Sequence, residues 1–294
     1  MVRSELLPPE QLGDHTIVLD VVGSPLAVTV DTAATAAEIR RTYAQWVSSL
    51  PEEPTAAIVV RAGTAQVEIG DATRVAERDR VQFQHGADAH EMCHSVVRLI
   101  SRCYLAQLYG MGGCLLHASA ARVDGVGCVF LGPSGAGKTT VAQILSECGA
   151  DLLASDNTAL LRRGQCYSVR ALPFPFDPDV TGARARLRRD IVEFPVDAVF
   201  VVQQGAATRI EPAPPIRAAD AVQNALILRR VVPPSPGLPP RTCPELQHYV
   251  GSLVLDLLVA TPVYMLTFPL DLSVYRGVAS VCRQISHCER HRCP

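Results

Sequence analysis

The segment 128-CVFLGPSGAGKTTVAQIL-145 carries the strongest fold signal in this chain. Its first four residues are apolar, as in a buried strand, and apolar residues recur at Val141, Ile144 and Leu145 with the spacing of a helix. Between strand and helix, the segment Gly132 to Thr139 fits the pattern G-x-x-x-x-G-K-[ST] in full. A strand, a glycine-rich turn and a helix in this order predict an α/β domain with an anion-binding loop at the start of the helix.

Each residue type in this loop, which we call the phosphate loop, has a chemical role. The glycines let the backbone curl so that its N–H groups point inward, Lys138 would reach the β- and γ-phosphates, and the hydroxyl of Thr139 would bind Mg²⁺. Lys138 is also the only lysine among 27 basic residues. ATP and Mg²⁺ are therefore the expected ligands, and a glycine-rich turn without a ligand is the alternative. The residues predicted to bind ATP are Gly132, Pro133, Ser134, Gly135, Ala136, Gly137, Lys138, Thr139 and Thr140.

The composition predicts a globular protein of the cytoplasm. Apolar residues make up 48% and charged residues 19% of the 294 residues, which is enough for a sizeable core. The net charge of −2 gives no basic excess for binding nucleic acid, and the first ten residues do not form a secretory signal. The apolar stretch 249–270 is interrupted by Asp256 and Pro262, so we expect no membrane span. The ten cysteines include no C-x-x-C pair, and we expect them to be reduced and mostly buried. The sequence leaves open whether the protein forms a homo-oligomer.

We expect two domains and a tail, with boundaries at 1–111, 112–286 and 287–294. The first is predicted to be a smaller α+β domain, a candidate for substrate recognition, with strands at 16–21, 26–30, 56–60, 65–69 and 80–84 and helices at 33–49 and 88–109. The second alternates strand and helix, with strands at 114–122, 127–131, 151–155, 166–170, 197–203 and 262–267 and helices at 138–148, 218–230, 244–259 and 271–286.

Two further residues are predicted to act on a bound phosphate. Asp156 ends a short apolar strand one helix after the phosphate loop, and ligands of open α/β sheets bind beyond the carboxyl ends of the strands. A carboxylate there can bind Mg²⁺ or accept the proton of an attacking hydroxyl. Asp124-Gly125 predicts a two-residue hairpin that places His117 opposite Gly132. The alternatives are a turn residue for Asp156 and a packed strand histidine for His117.

These residues, in this order and spacing, resemble the kinase domain of HPr kinase/phosphorylase. The similarity rests on 115-LLHAS-119, the phosphate loop and 153-LASDN-157, and it extends over most of 114–286. It is stronger to shortened relatives among peptide-modifying kinases, including lasso-peptide tailoring kinases. The resemblance implies a hydroxyl-phosphorylating kinase on a fold related to phosphoenolpyruvate carboxykinases.

The resemblance also implies site roles. Asp156 would be the base, His117 would lie near the transferred phosphate, and Thr139 with Asp156 would hold the metal. This chain has Asn157 where the family commonly has a second acid, and it lacks a glycine-rich phosphorylase signature between 170 and 196. We therefore expect neither phosphorylase activity nor HPr as the substrate.

The predicted acceptor is a Ser or Thr hydroxyl of a peptide or protein, in particular a ribosomal precursor peptide. An apolar lip, 173-PFPF-176, lies next to four arginines that would bind an acidic or phosphorylated substrate: Arg184, Arg186, Arg188 and Arg189. A solvated helix or loop face is the alternative for the arginines. A kinase of small-molecule hydroxyls and a nucleotide-gated peptide-binding protein without phosphotransfer remain open.

Two metal-binding patterns compete with this prediction. His90-Glu91-x-x-His94 matches the zinc hydrolase pattern H-E-x-x-H, but no H-x-x-G-x-x-H extension follows and no Glu occurs between 92 and 146. The segment 287-HCERHRC-293 together with Cys282 has no standard zinc spacing. Both patterns are retained as alternatives of lower rank.

Overall fold

The computed structural model describes residues 15–21, 24–30, 32–44, 47, 56–61, 64–69, 78–82, 108, 112–172, 193–226 and 244–289. These residues form a mixed α/β protein, so the predicted fold class is confirmed at that level. The described residues ahead of Gly110 belong to one compact unit, and those from Gly112 onward belong to another.

Among the described residues, the first unit contains a five-stranded sheet and the helix α1. Its elements are β1 (Thr16–Val21), β2 (Ser24–Val30), α1 (Ala33–Thr42), β3 (Ala56–Arg61), β4 (Thr64–Ile69) and β5 (Arg78–Gln82). The strands lie in chain order across the sheet, and β2 and β3 are the parallel pair. The helix α1 joins these two strands, because a parallel pair needs a crossover connection. All five predicted strands are confirmed within two residues at each end.

The helix α1 is shorter than the sequence predicts. It begins after Thr32, whose hydroxyl accepts a hydrogen bond from the backbone N–H of Thr35. It ends at Thr42 instead of residue 49, since the chain turns back and Val47 forms a bridge with Leu19 of β1. The predicted helix at 88–109 lies outside the described residues except for Leu108, which is buried.

The second unit contains two sheets and four helices among the described residues. Its strands are β6 (Cys114–Leu116), β7 (Ser119–Val123), β8 (Val126–Leu131), β9 (Asp151–Ala154), β10 (Thr158–Arg163), β11 (Cys166–Arg170), β12 (Glu193–Pro195), β13 (Ala198–Gln204), β14 (Arg209–Pro212) and β15 (Val263–Phe268). Its helices are α2 (Lys138–Glu147), α3 (Pro215–Ala225), α4 (Pro244–Ala260) and α5 (Ser273–Glu289). One sheet has the order β14-β15-β13-β8-β7-β9 and the other has the order β12-β11-β10-β6.

The predicted hairpin between β7 and β8 is confirmed. Asp124 and Gly125 both have positive φ angles, 49° and 84°, as a tight two-residue hairpin turn requires. Ser119 pairs with Phe130 and Val123 with Val126, which is the predicted register.

The prediction of a single strand at 114–122 is wrong. Residues 114–116 form β6, which pairs with β10 in the four-stranded sheet, whereas β7 lies in the six-stranded sheet. The strands β10, β12 and β14 were not predicted, because short strands in a small antiparallel sheet carry little periodic signal. The break between β6 and β7 falls at His117 and Ala118.

The core of the second unit lies between the six-stranded sheet and the helices α2 and α5. The rings of Phe130, Phe200 and Tyr264 stack along β8, β13 and β15, with centroid distances of 5.4 and 5.5 Å. Helix α2 contributes Leu145 to this cluster, and α5 contributes Val278. The helices that the structure describes include none with the length and apolar character needed to cross a bilayer.

Candidate functional site

Three chain segments meet at one edge of the six-stranded sheet. The strand β7 runs antiparallel to both of its neighbours, β8 and β9. The ends of β8 and β9 therefore lie at the same edge as the start of β7. The phosphate loop follows β8, Asp156 follows β9 and His117 precedes β7. The strand directions thus bring the three predicted parts of the site together.

The glycines of the phosphate loop occupy positions that other residues do not fit. Gly135 and Gly137 have φ angles of 80° and 100°, in the left-handed region that favours glycine. A Cβ atom on Gly137 would lie 2.7 Å from the ring of Phe268, and one on Gly132 would lie 3.0 Å from the carbonyl oxygen of Val202. The loop is therefore packed tightly against the ends of β13 and β15.

The loop leaves backbone donors available at the start of α2. Gly137 is the residue that caps this helix, and it has no side chain that could accept a hydrogen bond from the first turn. The first turn of α2 also carries no acidic residue. Since the first N–H groups of a helix have no partner within the helix, they remain suited to anionic oxygens.

Lys138 is buried at the first position of α2. Its Nζ donates hydrogen bonds to the carbonyl oxygens of Gly132 at 2.9 Å and Pro133 at 3.1 Å. Burial lowers the pKa of Lys138, and the negative charge of Asp156 partly opposes that shift. The ammonium group therefore lies inside the loop, within the electrostatic influence of Asp156.

The carbonyl oxygen of Ser155 ties the loop to the neighbouring strand. It accepts a hydrogen bond from the hydroxyl of Thr139 at 3.2 Å and a second one from the hydroxyl of Ser119 at 2.6 Å. These bonds connect α2, β7 and the end of β9. Ser119 and Ser155 lie in the segments 115-LLHAS-119 and 153-LASDN-157, but neither was predicted to take part in the site, because the contact depends on a backbone carbonyl.

Asp156 is held at both carboxylate oxygens. Its Oδ1 lies 3.2 Å from Nδ1 of His117, and its Oδ2 accepts a hydrogen bond from the side-chain amide of Asn157 at 2.9 Å. The side chains of His117 and Asp156 are 36% and 48% exposed, so a substrate can reach both of them. The two residues that the sequence singled out separately thus form one pair.

The route by which His117 reaches this pair differs from the prediction. The hairpin ladder ends at Ser119 and Phe130, so His117 is not a strand partner of Gly132. Its backbone N–H instead donates to the carbonyl oxygen of Ala225 at 2.7 Å, beside a bridge between Leu116 and Leu226. Because the chain leaves the strand ladder between β6 and β7, His117 lies outside both sheets and its imidazole contacts Asp156.

The donor set suits a magnesium ion that is shared with phosphate oxygens. Among the residues that the structure describes, no three His, Cys, Asp or Glu side chains cluster as a protein-only metal site would require. Mg²⁺ commonly takes one or two protein oxygens, completing its shell with water and phosphate. The hydroxyl of Thr139 and the carboxylate of Asp156 are oxygen ligands of this kind, so the predicted metal residues fit the ion.

Several other predicted residues lie outside the described residues. They are Arg184, Arg186, Arg188, Arg189, the lip at 173–176, the pattern at His90, Glu91 and His94, and the tail beyond residue 289. Cys282 is described, and it is buried with its Sγ 3.5 Å from Sγ of Cys128. It faces the core, which contradicts its role as a ligand of a metal held by the tail.

The protein is a mixed α/β protein with a candidate phosphate-binding site. The site consists of the phosphate loop between β8 and α2, with His117 and Asp156 beside it. The chain belongs to the family of the SynChlorMet cassette protein ScmC, whose family model matches residues 83–268. Among solved structures, the Hpr(Ser) kinase/phosphatase from Coxiella burnetii matches with a TM-score of 0.29 and 11% sequence identity, over 60% of this chain and 97% of that one. No curated protein matches the chain.

Proposed function

We propose that this protein is an ATP-dependent kinase that transfers the γ-phosphate to a Ser or Thr hydroxyl of a peptide or protein. The observation that carries the proposal is the meeting of the phosphate loop with the His117–Asp156 pair at one sheet edge. A loop of this kind holds the phosphates, and a carboxylate beside it supplies the base that a hydroxyl acceptor needs.

In the proposed reaction the acceptor oxygen attacks the γ-phosphorus. The new O–P bond forms as the bond from the γ-phosphorus to the bridging oxygen breaks, and ADP leaves. The acceptor proton passes to the carboxylate of Asp156, whose orientation is maintained by His117 and Asn157. Lys138 exchanges its contacts with the loop carbonyls for phosphate oxygens. Thr139 and Asp156 would hold Mg²⁺, which would neutralise phosphate charge when bound.

Two features of the chain support a peptide as the acceptor. The unit ahead of Gly110 has its own five-stranded sheet, and a small metabolite would not need a separate domain for recognition. The resemblance to peptide-modifying kinases, carried by 115-LLHAS-119, the phosphate loop and 153-LASDN-157, supports the same acceptor. A precursor peptide encoded beside this gene is the first candidate.

Mass spectrometry after incubation with ATP and Mg²⁺ tests the proposal. Peptides encoded beside the gene and a panel of small-molecule alcohols are offered in parallel, with Asp156→Asn protein as the matched control. A gain of one phosphate mapped to Ser or Thr of a peptide, absent with the variant, is the expected result.

Three other results would replace the proposal with a different function. Phosphorylation of a small alcohol with every peptide untouched would indicate a metabolite kinase. ATP binding with slow hydrolysis and no phosphorylated product would indicate a nucleotide-gated binding protein. One equivalent of zinc whose removal abolishes activity would favour the hydrolase pattern at His90, Glu91 and His94.

A further inference from the structure

A short apolar turn follows β15 on the side of the phosphate loop that lies away from Asp156. The turn, which we call the leucine turn, comprises Pro269, Leu270, Asp271 and Leu272. Leu270 is 65% exposed and Leu272 is 58% exposed, so both side chains present apolar surface to the solvent. Because the two leucines are only two positions apart, they offer a larger apolar surface than a single exposed side chain does.

The leucine turn is held in place by hydrogen bonds. Asp271 accepts a bond from the backbone N–H of Ser273 at 2.8 Å, which caps the start of α5. Hydrogen bonds with the side chain and the backbone of Ser273 lower the pKa of Asp271, and the side-chain bond contributes most. The hydroxyls of Ser273 and Thr208 lie 2.6 Å apart and join the turn to the segment that follows β13. A turn tied down in this way presents its two leucines in a defined position.

Several contacts connect this turn to the phosphate loop. The residue directly before it, Phe268, has its ring against Gly137 of the loop. The backbone N–H of Gly205 donates to the carbonyl oxygen of Phe268 at 2.9 Å, and the side-chain amide of Gln204 donates to the carbonyl oxygen of Gly135 at 3.0 Å. The ends of β13 and β15 therefore border the phosphate loop directly.

The strand order places the two kinds of surface on opposite sides of the loop. The strands β7 and β9, with His117 and Asp156, lie on one side of β8, whereas β13 and β15 lie on the other. A nucleoside triphosphate has the same two-ended character, with an anionic group that reacts and a flat aromatic base. If the γ-phosphate points to Asp156, the base extends toward β13 and β15.

We propose that Leu270 and Leu272 form the surface on which the nucleobase of the bound nucleotide packs. The inference rests on the proposed function, because it places the phosphates in the loop. Ligand sites in proteins combine a few polar groups with apolar lining, and the leucine turn supplies apolar area where the polar site has none. The nucleobase gains affinity by burying both leucines.

Calorimetry with ATP and with inorganic tripolyphosphate separates the two parts of the site. In the full chain, Leu270→Ser together with Leu272→Ser is expected to weaken ATP binding about tenfold, or about 1.4 kcal/mol. Tripolyphosphate binding should stay unchanged, because that ligand has no base. The matched control is Ile216→Ser, which removes an exposed apolar side chain at the start of α3 and should leave both affinities unchanged.

A fluorescence measurement provides a second test that keeps a large apolar side chain at position 272. The chain contains a single tryptophan, Trp46, so Leu272→Trp adds one reporter at the turn. ATP should change its emission relative to the unsubstituted protein, whereas tripolyphosphate should not.

The possible failures are distinguishable. Wild-type ATP affinity in the double leucine variant, with Lys138→Ala still defective, overturns the nucleobase surface and leaves the kinase proposal in place. Equal loss of ATP and tripolyphosphate binding in the double variant also overturns it, because the leucines would then support the loop itself. Absence of any ATP or tripolyphosphate binding by the unsubstituted protein overturns both proposals.

Discussion

The two sides of the phosphate loop differ in polarity and in the side chains that border them. Toward β9, the loop meets the half-exposed pair His117 and Asp156, and its helix is tied to the carbonyl oxygen of Ser155. Toward β15, it meets the ring of Phe268, followed by the exposed leucine turn. In the proposed function, the polar side supplies the reacting groups and the apolar side supplies only packing surface. Changes on the two sides should therefore affect catalysis and affinity separately.

The largest expected effect comes from Asp156→Asn on the polar side. The amide keeps the size of the side chain but cannot accept a proton, so phosphotransfer should fall by at least about a hundredfold. ATP affinity, measured by calorimetry, should change much less. The control is Asp151→Asn, which removes a carboxylate from the opposite end of β9, where Arg122 binds it at 2.8 Å. Unchanged turnover in Asp156→Asn would move the base to another residue, with His117 next.

A smaller effect is expected for Lys138→Ala at the boundary between the two sides. Loss of one charge-assisted contact to phosphate should weaken ATP binding by about tenfold to a hundredfold, without unfolding the protein. Burial lowers the pKa of Lys138, so its ammonium becomes neutral at a lower pH than that of an ordinary lysine. The ATP affinity of the unsubstituted protein should therefore fall as the pH rises through this lowered pKa.

Binding curves across the alkaline range, with Lys138→Arg as the control, check the pH effect. Arginine stays charged at these pH values, so its affinity should not fall with the same profile. A folded Lys138→Ala protein with unchanged ATP affinity would contradict the assignment of the loop.

Gly137→Ala tests how tightly the apolar side packs against the loop. Alanine at this position would have to adopt the positive φ of Gly137, and its Cβ would collide with the Phe268 ring. We therefore expect a loss of about 2–3 kcal/mol in the free energy of unfolding. Gly149 has a similar φ of 97° with open space around its Cβ position, so Gly149→Ala should show the cost of the φ angle alone, about 1 kcal/mol. Equal losses in urea unfolding would show that Phe268 moves aside freely.

The smallest expected effect is a gain on the polar side from Asn157→Asp. The substitution adds a second carboxylate beside Asp156 and removes the amide that donates to it at 2.9 Å. Mg²⁺ should bind a few-fold more tightly in the presence of ATP, because a second anionic oxygen would be available to hold the ion. Titration of activity against Mg²⁺ checks this, since half-maximal activity should be reached at a lower Mg²⁺ concentration in Asn157→Asp. If Asn157→Ala lacks this gain, the added charge is responsible for it.

Local chemistry explains why parts of the fold could be predicted. The β7–β8 hairpin follows from Asp124-Gly125, whose residues accept the positive φ angles of the turn. The strand β8 and the helix α2 follow from short-range apolar spacing. The helix α1, in contrast, ends seven residues before the predicted position, because Val47 contacts β1, and a contact between distant residues leaves no periodic signal.

The glycine-rich turn, its lysine and the carboxylate after β9 could be recognised from the amino-acid sequence, because these features depend on neighbouring residues. The assignment of β6 and β7 to different sheets became visible only in the folded chain, as did the distance of 3.2 Å between His117 and Asp156. The folded chain also shows that Phe268 closes the loop from the other side and that two leucines stay exposed beside it. Strand pairing depends on burial across the whole unit, so residues far apart in the chain become neighbours only after the sheets assemble.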